Sequence, residues 1–375
     1  MQKLGLYIHI PFCAKRCNYC AFLTFAENDQ MIEGYVEHLI KEIALYQTDA
    51  YEVDTIYIGG GTPSHIPAEQ MAKVLEAVKQ YFLVSETCEV TIEMNPESVT
   101  LEKLAAYQAM GINRYSMGVQ SFNDEVLAIM GRVHNRAKAL DKIRLLHEAS
   151  IDNFSIDLMF ANPKQDVSVL TEDIETLLRM QVPHVSVYSL MFEPHTNFTK
   201  WLREGQISQV DDETDRQMYH LIQERLIADG LEQYEISNFA RPGKACRHNL
   251  KYWRLEDYLG LGLGASSNIG LERFTNYQNF LTYYEAIDRG ERPVETLETM
   301  PLEEREKEFI MLNTRLIQGF SIKEMNQRFG IDFLEKYQAP IAKHLATGLV
   351  EIQGDRFKFT PYGLDVGNQF YVDIF

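Results

Sequence analysis

Long apolar runs are missing from this 375-residue sequence. No stretch reaches the roughly 18–20 uninterrupted apolar residues of a transmembrane helix. The nearest, Leu259–Leu271, is broken by glycine and polar residues, so no stable membrane insertion is expected. The opening Met1-Gln2-Lys3-Leu4-Gly5-Leu6 lacks the apolar region and small-residue cleavage site of a secretory signal. Basic residues are also short: 36 Lys and Arg stand against 54 Asp and Glu, a net charge of −18. Such a chain has no general attraction for phosphate backbones or anionic lipid, so nucleic acid is not an expected partner. Cysteine is scarce and odd in number, five in all, which speaks against a disulfide framework. Three of the five crowd into Cys13–Cys20, which points to a metal in a reducing, cytoplasmic compartment. What is plentiful is ordinary globular material. Hydrophobic residues make up 45% and charged residues 24%, enough for a large core and, by length, about two or three domains.

Short β-rich runs alternate with helical patterns up to about residue 190. Candidate strands are Leu4–His9, Asp54–Ile58, Glu89–Met94, Asn113–Val119, Phe154–Phe160 and His184–Leu190. Between the first two, Ile32, Tyr35, Val36, Leu39, Ile40 and Ile43 make one apolar helical stripe. Thr100–Met110 reads as a helix that stops at Gly111. Six β/α units in series predict an α/β fold with a parallel sheet. No GxGxxG follows the first strand, so a dinucleotide-binding half is unsupported. Six strands are too few for a closed eight-stranded barrel, so an open partial (β/α)6 barrel is expected over residues 1–195.

Residues 196–295 read as an irregular extension, with one helix near Asp211–Asp229 followed by Gly-rich or aromatic loops. From 296 to 375 three helical stripes precede a hairpin that turns at Gln353-Gly354-Asp355. That is the outline of a winged-helix-like α+β module. From Leu302 to Phe375 it carries 9 basic and 11 acidic residues, net −2. This is wrong for a DNA reader and suits a lid or docking module.

Cys13, Cys17 and Cys20 are spaced C-x3-C-x2-C on the loop leaving the first strand. Three thiolates can hold a [4Fe–4S] cluster with one iron open to another ligand. The alternative is a zinc knot completed by His9, which tetrahedral zinc would accept. Structural zinc usually draws on two separated ligand pairs, so the tight loop favours iron–sulfur. Tyr19 adds an aromatic face suited to a nucleobase. The Gly59–Thr62 loop, Glu93, Gln120 and Asp157 each fall at or just past the end of a different strand, where α/β folds bind ligands. The glycines could form a simple turn, or let backbone amides approach a ligand carboxylate. The carboxylates could be ordinary strand ends, or acceptors for a ribose diol or an amino group. The loop lacks GK[ST], which argues against a nucleoside triphosphate.

C-x3-C-x-aromatic-C resembles the signature of radical S-adenosylmethionine (SAM) enzymes. Tyr7-Ile8-His9-Ile10-Pro11-Phe12-Cys13, Gly59-Gly60-Gly61-Thr62-Pro63-Ser64, Glu93-Met94-Asn95-Pro96-Glu97 and Gly118-Val119-Gln120-Ser121-Phe122 are similar to the oxygen-independent coproporphyrinogen III oxidase family. The likeness runs over nearly the whole chain. It implies a [4Fe–4S] cluster on Cys13, Cys17 and Cys20, and SAM contacts from Tyr7, Gly60 and Glu93. By the same likeness Tyr19, Gly61, Thr62, Gln120, Arg132 and Asp157 match positions around a second SAM. Two departures matter. Ala21-Phe22 stands where the oxidase has x-Cys after the third cluster cysteine, and Cys13 comes too early for the oxidase's N-terminal extension. Both are features of the HemW subfamily, regarded as heme chaperones.

His248-Asn249-Leu250-Lys251-Tyr252-Trp253 resembles that subfamily's H-N-x-x-Y-W motif. It would offer an imidazole to heme iron and flat apolar area to the ring. Taken alone, a His beside two aromatics reads as packed core. There is no C-x-x-C-H, so thioether attachment is unsupported. Cys246 reads as a rival thiolate or a small buried side chain, and Cys88 as structural. The resemblance therefore implies a heme chaperone that binds a cluster, SAM and heme and serves heme-acceptor proteins. One alternative is a SAM-radical porphyrinogen decarboxylase; another is a non-catalytic metal-bound scaffold.

Overall fold

The computed structural model describes residues 1–375. Its architecture follows from a period-two alternation within the strands. In β1 (Gln2–Ile10), Leu4, Leu6, Ile8 and Ile10 enter the main core, while Gly5, Tyr7 and His9 face the opposite side. The alternation recurs in β2 (Thr48–Gly60), β3 (Phe82–Met94), β4 (Arg114–Gln120), β5 (Phe154–Phe160) and β6 (His184–Ser189). Ile56, Ile92, Met117, Ile156 and Val185 face the core. Tyr57, Glu93, Ser116, Asp157 and Ser186 alternate with them and face the other way. All six strands pair in parallel in chain order. The connecting helices lay their apolar stripes on one face, making a core of 60 buried residues. The other face is polar.

The stretch expected to be irregular, residues 196–295, is more ordered than its sequence predicts. The expected helix forms at Asp212–Ala228, but the loops around it are strands. These are β7 (Glu232–Glu235), β8 (Asn238–Ala240), β9 (Tyr258–Leu261), β10 (Ser266–Ile269), β11 (Glu272–Asn276) and β12 (Val294–Thr299). They extend the sheet at both edges to twelve strands, in the order β12-β11-β10-β9-β1-β2-β3-β4-β5-β6-β8-β7. Each is short and glycine-bounded or charged, so no period is long enough to read from sequence.

The sheet curls around one short segment. The Lys244 carbonyl accepts from Arg114 on β4 at 2.9 Å, and the amides of Arg247 and His248 donate to Glu89 on β3 at 3.2 and 3.1 Å. The Cys246 amide donates to Tyr234 on β7, and His248 meets Thr55 on β2. A segment this short reaches those strands only if the sheet wraps around it. The helix Arg247–Trp253, which carries the H-N-x-x-Y-W motif at His248–Trp253, thus plugs the barrel at the N-terminal ends of its strands.

The C-terminal residues build a second core of 16 buried residues around Phe309, Phe320, Phe333, Phe357 and Phe370. The expected hairpin forms at Val350–Gln353 and Arg356–Phe359, joined by a third strand at Phe320–Ser321. The third helical stripe breaks at Tyr337 into Phe333–Lys336 and Gln338–Ala346, and two unforeseen helices, Pro361–Val366 and Asn368–Ile374, close the module. The module holds both outer ends of the sheet. Arg305 bonds Asn268 on β10 at 2.5 Å, Leu316 forms a bridge with Glu235 on β7, and Asp365 accepts from Arg216 and His220.

One buried carboxylate fastens the added strands to the first helix, Ile32–Leu45. Glu42, fully buried, accepts from the Gly262 amide at 2.8 Å, Tyr283 at 2.5 Å and Asn276 at 2.6 Å. Glu42→Ala leaves the buried Gly262 amide and Tyr283 hydroxyl without an acceptor and takes one of two from Asn276, an expected loss of roughly 3–5 kcal/mol. Denaturant unfolding checks it; a loss below about 1 kcal/mol would show that the carboxylate is dispensable.

Candidate functional site

The C-terminal ends of β1–β5 bring the sequence-predicted residues to one mouth. The cysteine loop has no helix of its own, and its neighbours fix it. The Asn18 amide donates to the Met130 carbonyl at 2.9 Å and its side chain donates to Ile129, while the Phe198 amide donates to the Asn18 carbonyl. Cys13, Cys17 and Cys20 are each half-buried and unpaired. Thr62 Oγ1 lies 3.5 Å from Cys13 Sγ, and Arg132 Nη1 lies 3.5 Å from Cys17 Sγ. Burial pushes the Cys13 thiol up to about 11, and it also raises Cys20. Only a bound cation would hold such thiols as thiolates at neutral pH.

His9 does not fit the zinc alternative. Its Nε2 faces the Leu23 carbonyl at 2.9 Å and must donate, so its Nδ1 accepts from Tyr7 at 2.9 Å. Neither nitrogen is left for a metal. His9 instead braces Tyr7 and the residues just past Cys20. Neither the three thiols themselves nor any His, Asp or Glu beside them gather into a ready-made site for a single ion. Three thiols on one loop, two of them facing hydrogen-bond donors, fit a cluster better.

Two carboxylates face the polar side of the mouth. Glu93 accepts from Tyr57 at 2.8 Å and from the Gly60 amide at 3.1 Å. Desolvation, reinforced by the charge of Asp157, pushes it up to about 7. Asp157 accepts from Ser116 at 3.1 Å and Ser155 at 3.3 Å, and burial raises it too. Neither forms an ion pair, so both are open to a cationic or hydroxyl-bearing ligand.

The glycine run serves the fold before any ligand. The amides of Gly60, Gly61 and Thr62 go to Glu93, Ile10 and Phe12. The expected approach of these amides to a ligand carboxylate is therefore not available in this arrangement. At Gly60, φ is +112° and a Cβ would lie 2.5 Å from the His9 ring. Tyr19 packs on Phe198 at 6.2 Å between ring centroids. Gln120 has φ +70° and lies at the end of β4 beside Arg132, whose Nη2 bonds Asn95 and the Gly118 carbonyl at 2.7 and 2.6 Å. Arg132 is thus part of the mouth, not a solvated surface residue.

His248 is not brought to this mouth. It lies fully buried in the plug, with Nδ1 2.8 Å from Thr55 and Nε2 2.9 Å from the Tyr252 hydroxyl. Burial and the neighbouring Lys251 charge lower its pKa to about 3. It therefore offers no free nitrogen to an iron here. Cys246 is buried beside Glu89, and its thiol is pushed up to about 12. Sequence reasoning quoted Asn95 without giving it a role, and it missed the strand residues Tyr57, Ser116 and Ser155. Their signal was polar side chains alternating with core residues in otherwise apolar strands.

A model of the radical SAM superfamily matches residues 7–177, and one of the HemN C-terminal domain matches residues 300–366. The chain is 34% identical over 369 residues to the heme chaperone HemW of Bacillus subtilis, covering 97% of both chains. It is 32% identical over 365 residues to that of Lactococcus lactis, covering 97% of this chain and 95% of the relative. In structure it resembles coproporphyrinogen III oxidase (HemN) from Escherichia coli, with TM-score 0.87 and 21% identity over all of this chain and 90% of that one.

Because burial pushes Glu93 up to about 7, a cationic ligand at the mouth gains its carboxylate partner as pH rises. Calorimetric titration of S-adenosylmethionine from about pH 6 to pH 8 should show affinity rising severalfold, and Glu93→Gln should flatten the profile. A wild-type profile independent of pH would exclude Glu93 from binding.

Proposed function

The chain belongs to the family of the heme chaperone HemW, within the radical SAM superfamily; from this premise we propose that it binds heme and passes it to acceptor proteins. The observation that carries the reading is the full-length likeness to HemW chaperones, at 34% identity over 97% of both chains. The likeness to coproporphyrinogen III oxidase is one of fold, at 21% identity, and brings no activity with it.

On this reading Cys13, Cys17 and Cys20 hold one [4Fe–4S] cluster. Bound there, such a cluster supplies one-electron chemistry at an iron left open by three protein ligands. Tyr7, braced by His9, Gly60 and Glu93 would hold SAM beside it, with the Glu93 carboxylate as acceptor for its amino group. Tyr19, Gly61, Thr62, Gln120, Arg132 and Asp157 would receive a second SAM.

Heme is the cargo, and a chaperone must release it. The barrel is plugged at one end, so exchange falls to the mouth. There the loops leaving β1 and β6 carry Phe22 and Met191, 70% and 69% exposed. Exposed apolar side chains at an open end suit reversible contact with a macrocycle. His248 would reach iron only if its helix withdrew and both of its hydrogen bonds broke, so its role is to anchor the plug. The setting is proposed to be the cytoplasm; no helix is long and apolar enough to cross a membrane.

The test is transfer. Protein reconstituted anaerobically should bind heme about one to one and yield it to an apo-heme protein, while leaving coproporphyrinogen with SAM undecarboxylated. His248→Ala should lower stability by roughly 2–4 kcal/mol with an unchanged Soret band. Failure to bind heme, or decarboxylation of the porphyrinogen, overturns the reading; an altered Soret band in the variant would make His248 a ligand after all.

A further inference from the structure

Asn95 stands at the end of β3, touches no cysteine, and yet sits between the two side chains that do face cluster sulfurs. Its Oδ1 accepts from Arg132 Nη2 at 2.7 Å, and its Nδ2 donates to Thr62 Oγ1 at 2.9 Å. The amide can do both only in this orientation. With its oxygen occupied as an acceptor, the Thr62 hydroxyl keeps its own proton free. The acceptor in reach is Cys13 Sγ at 3.5 Å. On the other side, Arg132 Nη2 is shared between Asn95 and the Gly118 carbonyl at 2.6 Å, which fixes the guanidinium plane. That plane directs Nη1 to Cys17 Sγ at 3.5 Å.

The room for this arrangement is specific. A Cβ on Gly118 would come within 3.2 Å of Asn95 Oδ1 and 2.8 Å of Gln120 Nε2. Asn95 is itself tied down, since its carbonyl accepts from Ser98 at 2.8 Å. The third thiol, Cys20, receives nothing from the network.

We infer that Asn95 is a positioning residue that sets the reduction potential of the cluster, by orienting one O–H and one cationic N–H donor toward the sulfurs of Cys13 and Cys17. The inference rests on the reading that these cysteines hold a [4Fe–4S] cluster. The physical reason is that a reduced cluster carries one more negative charge than an oxidised one. Donors to its sulfurs, and a guanidinium beside them, stabilise the reduced form and raise the potential. Asn95→Ala removes the orienting amide and frees both donors. Asn95→Asp keeps an acceptor for Arg132 but cannot donate to Thr62. The hydroxyl then turns to the new carboxylate and leaves Cys13, and a negative charge is added nearby.

The experiment is a potentiometric titration of the reconstituted protein followed by EPR of the reduced cluster. The midpoint of Asn95→Ala should shift negative, and that of Asn95→Asp further negative. Thr62→Val should shift it in the same direction, with Thr62→Ser restoring the wild-type value because it keeps the hydroxyl. Iron content and the melting curve of the metal-free protein are read in parallel. A role confined to folding would lower melting and leave the potential where it was. Wild-type potentials in Asn95→Ala and Thr62→Val, with full iron content, overturn the inference alone. A wild type that assembles no cluster overturns the reading beneath it, and this inference with it.

Discussion

The molecule depends on how β1 ends. A loop with three cysteines has only a two-residue parallel ladder of its own, Phe12–Cys13 against Phe25–Ala26, so it must borrow rigidity, and it does so by prolonging the β1–β2 pairing past the last strand residue. Ile10 pairs with Gly60, the Gly61 amide donates to the Ile10 carbonyl at 2.9 Å, and the Thr62 amide donates to Phe12 at 2.8 Å. Phe25 returns to donate to the Pro11 carbonyl at 2.7 Å. The His9 carbonyl is held from behind by Tyr35 at 2.6 Å, whose hydroxyl in turn accepts from the Leu263 amide. Glycine at 61 is a matter of distance, because a Cβ there would lie 2.7 Å from the Phe12 carbonyl oxygen. Backbone approaches backbone at that point, and Cys13 and Thr62 are thereby kept side by side.

The second constraint is the polar inner face. A closed barrel of this size would fill its interior with branched apolar side chains. Here the interior carries Glu89, Arg114, Ser155, His184 and Ser186, all buried, and they need partners. His248 and the backbone of the plug supply several, as does Tyr234, whose hydroxyl bonds His184 at 2.8 Å. The C-terminal module then ties the outer edges together. One end of the barrel is consumed by this closure, which leaves the other as its open mouth. The aromatic motif at Arg247–Trp253 helps create the site by sealing the end opposite to it.

Much of this was legible in the sequence, and the rest was hidden for reasons that can be named. The six parallel strands are readable because each contains a buried apolar run flanked by an amphipathic helix, as in Phe154–Phe160 followed by Val167–Arg179. Thr100 and Gly111 mark their helix as expected: Thr100 accepts from the Lys103 amide at 3.2 Å, and Gly111 has φ +94°. The edge strands are not readable. Glu272–Asn276 and Val294–Thr299 are short and charged, and pairing with neighbours makes them strands. The cysteines and mouth carboxylates could be placed from strand ends alone. His248 could not, because a histidine beside aromatics looks the same whether it waits for iron or bonds Thr55 and Tyr252. Asn95 lay within a motif already noticed, but its meaning needs the distances to Arg132 and Thr62.

Cys13, Cys17 and Cys20 are proposed to carry an iron–sulfur cluster with one iron left open. Mössbauer spectroscopy of protein reconstituted anaerobically with 57Fe tests it most directly. Four irons per chain are expected in a cubane spectrum, with one iron's isomer shift moving when SAM is added. A spectrum unmoved by SAM would mean that no iron is open. Stoichiometric zinc in place of iron in the anaerobically purified protein would contradict the claim outright.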